Sequence, residues 1–166
     1  MWGLWRTGAG SAEPSHKGAE TMVLSNKLVA LIERNADQLT KRWLDIVRTH
    51  ENTPTYHTYD EDKLYDRAFS VYSQLGKWLS AASTSEEVKT IYTELGGQRR
   101  KEGFKISELL EALLITRQVL WTKVESEGLL DTALHLNQAL ELNDRISAFF
   151  DRCAVYAAQV YESESP

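Results

Sequence analysis

His50, His57 and His135 are the side chains of this sequence that could ligate a metal or a haem iron. His50 closes an amphipathic stretch, where a partly protonated ring suits the negative end of a helix. His57 follows in THENTPTYHTYD, beside Pro54, Tyr56 and Tyr59. With neighbouring carboxylates this pair could hold a metal, but the spacing matches no metal signature, and a solvated loop is the expectation. His135 lies on an apolar stripe, where a haem ligand could sit; a hydrogen-bonded core or interface histidine is the plainer reading. Val47, Pro54 and Thr132 stand three residues before these three of the four histidines, so none of them ends the helical Glu-x-x-His of di-iron bundles. Neither a G-x-S-x-G elbow nor a P-loop occurs. Cys153 shares its stripe with Phe149 and Tyr156, which predicts a buried, unreactive thiol. Glu94, Glu102, Glu108 and Glu111 are spaced as solvated faces and first-turn helix charges. These readings assign no catalytic residue, no metal site and no cofactor.

Arginines supply the remaining chemistry. The neighbours of Arg117 at three and four positions are Leu113, Leu114, Leu120 and Trp121, so it points along an apolar stripe. Either its stem snorkels to a wet head, or it is buried against a carboxylate such as Glu94 or Glu102. Arg99, Arg100 and Lys101 form a cationic cluster that reads as a solvated helix end; binding an acidic partner or ligand is the sharper alternative.

The elements that must position these groups are helical. Apolar spacing predicts five helices and no strand. The first runs from about Ser25 to His50 and the second from about Asp60 to Ala81. The third begins in STSEE, where Thr84 can cap and Glu87 can reach back; Gly96 and Gly97 should weaken or bend it, and Gly103 should stop it. The fourth, capped by Ser107 and ended by Gly128, is apolar on so much of its circumference that it should be central, with Trp121 buried. The fifth, from about Leu130 to Glu162, carries His135, Ala139, Leu142, Ile146, Phe149, Cys153, Tyr156 and Val160 at alternating steps of four and three, a 3.5-residue seam. A second apolar face, with Leu136, Leu140, Phe150, Ala154 and Ala157, lies beside it. One face can close the domain while the other meets a second subunit. Leu142, Ile146, Phe149, Cys153 and Tyr156 are the candidate homodimer seam.

The totals agree with one helical domain. Nineteen Lys and Arg against 24 Asp and Glu give a net charge of −5, which argues against sequence-independent nucleic-acid binding. The single cysteine fits a reducing, cytoplasmic compartment. No apolar run approaches the ~20 residues of a membrane span. Residues 1–21 read as a disordered tail, with Met22 a candidate start; 22–162 form the domain, and 163–166 a disordered end.

The stretch LGGQRRKEGFKISELLEALLITRQVLW, Leu95 to Trp121, carries L-G-x-x-R-x-x-E-G, then an S-E cap, then a Leu-rich helix ending in R-x-x-L-W. It resembles RsbRD-type N-terminal domains, and LIERNADQLTKRWLDIV resembles that family's first helix. The likeness covers roughly Leu24 to Glu162. It implies an all-α, globin-like sensor domain without haem, one that dimerises and acts on a STAS-type or kinase-type signalling partner in a bacterial stress response. Within the motif, Arg117, Trp121, Glu102 and Gly103 are the candidate structural or signalling residues. A haem- or ligand-binding globin with a pocket between the second, fourth and fifth helices is the alternative, and an enzyme the third reading.

Overall fold

The computed structural model describes residues 26–81, 85–128 and 130–163, so the tail expected at 1–21, the cap expected at Thr84 and residues 164–166 lie outside the described residues. Eight helical segments and no strand occupy the described residues. They are α1 (26–34), α2 (Ala36–Val47), α3 (Pro54–Thr58), α4 (Glu61–Ser73), α5 (Leu75–Ala81), α6 (Ser85–Lys101), α7 (Ile106–Ser126) and α8 (Ala133–Ser163). The all-α bundle with its long last helix is consistent with the expected globin-like architecture. No helix among the described residues is long and apolar enough to cross a membrane.

The extra segments have local causes. The first expected helix divides at Asn35, whose side-chain amide donates to the Leu31 carbonyl at 2.7 Å and competes with the backbone ladder. The second divides at Gln74, and the Trp78 indole N–H donates to the Ser70 carbonyl at 3.3 Å across the break. The loop expected around Pro54 is instead ordered. Pro54 occupies the first position of α3, where its missing N–H costs nothing. Just before it, the buried Thr53 hydroxyl donates to Val47 O at 2.8 Å.

Gly96 and Gly97 do not interrupt α6, which continues unbroken to Lys101. Their role is close approach. A Cβ on Gly96 would lie 3.4 Å from Ala157 Cα and 3.6 Å from Val160 Cβ, so α6 and α8 meet almost backbone to backbone. This is the most extensive helix pairing in the fold; α2 packs on α4 and α7, and α5 and α7 also pack on α8. Gly96→Ala is therefore expected to be neutral or stabilising by up to about 1 kcal/mol, since alanine improves helix propensity and just fits. Gly96→Leu should cost about 1–3 kcal/mol by overpacking. Thermal melts of both variants check this split.

The seam of α8 belongs to the chain's own core, which corrects the dimer-seam expectation. Leu142, Ile146, Phe149 and Cys153 are each at most 1% exposed. Phe149 packs edge-on against Tyr92 of α6 and Phe150, with centroids 5.6 and 5.4 Å away, and lies 6.4 Å from Trp78 of α5. A seam covered by α5 and α6 cannot also be covered by a second subunit. Tyr156 is half-buried at its edge. Nor is α7 buried all round: Leu114 is 52% exposed and Trp121 only partly buried.

Candidate functional site

Three helices, α4, α6 and α7, enclose a small, partly open cavity of about 90 Å³, reached by Trp43 of α2 and Tyr56 of α3. Its walls are mostly apolar: Leu64, Ala68 and Val71 from α4, Tyr92 and Leu95 from α6, and Leu109, Ala112 and Leu113 from α7. Aromatic donors tie the walls to the α7 backbone. Trp43 Nε1 donates to Ala112 O at 3.2 Å, and Tyr72 Oη to Thr116 O at 3.1 Å. Two arginines, Arg67 and Arg99, also line it.

The geometry of Arg99 starts from a turn. Gly103 has φ +90°, the left-handed region that glycine adopts without strain. Phe104 N donates to Arg99 O and Gly103 N to Arg100 O, the pair of bonds of a Schellman cap. That cap ends α6, buries Phe104 against Tyr56 and Tyr59 with centroids 4.7 and 4.9 Å away, and turns Glu102 inward. One Glu102 oxygen accepts from Arg67 Nη2 at 2.8 Å, the other from Arg99 Nη1 at 3.2 Å. Gln98 Nε2 adds a third donor at 3.1 Å. Burial raises the Glu102 pKa, but the Arg67 hydrogen bond and the two guanidinium charges outweigh it and leave it lowered. Burial also lowers the pKa of Arg99, as does the like charge of Arg67, against the attraction of Glu102. Arg67 Nη1 is buried with no hydrogen-bond partner among the described residues.

A second buried carboxylate supports the same corner. Glu108 Oε1 accepts from Thr55 N at 2.6 Å, while Oε2 accepts from the Thr55 hydroxyl at 2.8 Å and Lys105 N at 3.0 Å. One side chain thus caps the N-termini of both α3 and α7. Burial works to raise its pKa, and these donors overcome that and hold it below the usual value. The N-cap of α7 is Lys105, two residues before the expected Ser107.

Several expected positions need correction. Glu102 is half-buried and Glu108, a first-turn charge as expected, is buried, so neither is solvated. Of the two readings of Arg117 the buried pair is not formed there, and Arg99, only 5% exposed, is the buried arginine instead. Arg117 is half-buried and lies 3.6 Å from Asp151 of α8, not beside Glu94 or Glu102. His135 is not a core residue: it is half-buried at the start of α8, with Nδ1 2.9 Å from Asp131 Oδ1. His57 Nε2 approaches the His50 carbonyl at 2.9 Å, and His50 Nε2 lies 3.8 Å from Glu111. None of the three lines the cavity, and no metal-spaced cluster of three or more His, Cys, Asp or Glu exists among the described residues. Burial pushes the Cys153 thiol up to about 12. Arg67 escaped sequence reading altogether. For Arg99 and Glu102 the usable signal was their i,i+3 spacing directly before a glycine.

Thus the L-G-x-x-R-x-x-E-G segment makes one device: Gly96 admits α8, Arg99 and Glu102 pair at the cavity, and Gly103 turns the chain into α7. Comparison with curated proteins and with solved structures finds no match. The family model of the RsbT co-antagonist protein rsbRD N-terminal domain matches residues 37–165. The chain belongs to this family, and membership implies a sensory domain of stress signalling.

Proposed function

We propose that this domain is a non-enzymatic sensory or regulatory module that works without haem, through protein–protein contacts, as a homodimer facing a signalling partner of STAS or kinase type. The observation carrying this reading is the distribution of exposed apolar side chains. Leu114 on α7 and Leu134, Leu136, Leu140 and Val155 on α8 are each about half exposed. At 100° per residue, Leu136, Leu140, Asp151 and Val155 lie within about 100° of arc on α8, opposite the buried seam. The Arg117–Asp151 pair joins this strip to α7, one turn from Leu114. The strip is mixed, with Asp144, Ser147 and Asp151 between Leu140 and Val155, and an isologous contact would cover its exposed apolar residues with their equivalents.

Support for the reading without haem is the cavity itself. It is smaller than the ~150 Å³ cavity that accommodates one benzene, and no histidine lines it.

The double variant Leu136→Glu/Leu140→Glu tests the face. It should be a folded monomer by light scattering, with helical content retained and folding stability within about 1 kcal/mol of wild type, as for surface changes. A variant that stays dimeric would remove this face from the assembly.

A further inference from the structure

We propose that the cavity between α4, α6 and α7 binds a short-chain monocarboxylate, its carboxylate on Arg67 and Arg99 at the partly open side and only its tail of about two or three carbons inside, among Leu64, Ala68, Leu95 and Leu109. This deepens the sensory reading and rests on it for its biological meaning. Charge supplies the first reason. Two arginines line the cavity, and among the described residues one carboxylate, Glu102, forms ion pairs with them. Glu108, the buried carboxylate nearby, has its oxygens engaged by Thr55 and Lys105. An incoming anion therefore meets buried positive charge that the fold pairs only once.

Hydrogen bonding supplies the second reason. Arg67 Nη2 is used by Glu102, while Nη1 is buried without a partner among the described residues. A buried guanidinium N–H left unmade is costly, and a carboxylate oxygen is the acceptor whose geometry matches it. The third reason is size and polarity. About 90 Å³ walled by leucine, alanine and valine receives a few carbons and disfavours a strongly hydrated inorganic anion, which would lose its water for no apolar gain. A phosphate ester is disfavoured by the same volume and by its second charge.

Occupancy has a route to the rest of the bundle. Arg67 sits on α4 and Arg99 at the end of α6, so a bound carboxylate would bridge the two helices. Tyr92, which also lines the cavity, packs on Phe149 of α8, the helix that carries the exposed strip.

The test uses the full chain with sodium butyrate, with butyramide as the uncharged isostere and sodium chloride at equal ionic strength. Butyrate should raise the melting temperature saturably, with half-effect on the order of 1 mM for a ligand of this size, and show saturation-transfer NMR signals. Butyramide and chloride should not. Arg67→Gln should weaken butyrate at least about tenfold. Ala68→Leu, which keeps both arginines and fills the apolar end, should abolish binding; it carries the test if Arg67→Gln fails to fold. An absent butyrate effect, an equal effect of chloride or of butyramide, or a wild-type response in Ala68→Leu would each overturn the assignment. Light scattering on the same samples separates the two ideas. A dimer indifferent to butyrate removes the ligand and leaves the contact-based function standing, whereas a monomer that binds butyrate does the reverse.

Discussion

Phe149→Glu is expected to abolish the folded state rather than release a folded monomer. The ring is 1% exposed and touches Tyr92, Phe150 and Trp78. Truncating such a side chain costs roughly 3–5 kcal/mol by itself. A carboxylate placed there without a partner adds several more, or must protonate. Against a total stability of about 5–15 kcal/mol, the sum removes most or all of it. Far-ultraviolet circular dichroism should show lost helicity with no cooperative melt, while Phe149→Leu should keep both. A helical, cooperatively melting Phe149→Glu protein would mean that the α8 seam is not the core.

Glu108→Ala should produce the second-largest loss, about 3–5 kcal/mol, because it strands three donors and uncaps two helices at once. For a chain of this size that is a fall of roughly 6–20 °C in melting temperature. The same contact has a pH signature. The folded-state pKa of Glu108 is lowered from 4.5, so at mildly acid pH the unfolded chain binds more protons than the folded one. Its contribution is fully present above 4.5 and fades as pH falls through the depressed folded value; Glu102 behaves alike. Denaturant melts at descending pH should lose stability below 4.5, and Glu108→Gln should flatten that loss. An unchanged acid profile in Glu108→Gln would remove the carboxylate from the cap.

What could be read from the sequence was periodic. The 4-3 repeat from His135 to Val160 marks a buried stripe, and the stripe is buried except at His135 and Tyr156, which are half-buried. Periodicity says that a face is covered and not by what, so the same repeat also fitted a second subunit. The clue lay in another helix: Gly96 signals close approach, and its partner is Ala157. The breaks at Asn35 and Gln74 left no trace because the apolar spacing runs through them on either side. Burial of Arg99 was hidden inside a run of three cations, since it depends on the Schellman turn at Gly103 and on Arg67 from a different helix. The Arg117–Asp151 pair joins positions distant in the chain, which no local spacing reports. Glu108 was visible as a first-turn charge, but its second helix, α3, was read as a loop.

The proposed contact through the exposed α7–α8 strip requires the full chain to be a dimer in solution. Multi-angle light scattering across a micromolar concentration series reads this directly. The expected mass is that of two chains, falling to one in Leu136→Glu/Leu140→Glu with helicity intact. A wild-type mass of one chain at every concentration would contradict it and leave the strip without its proposed occupant.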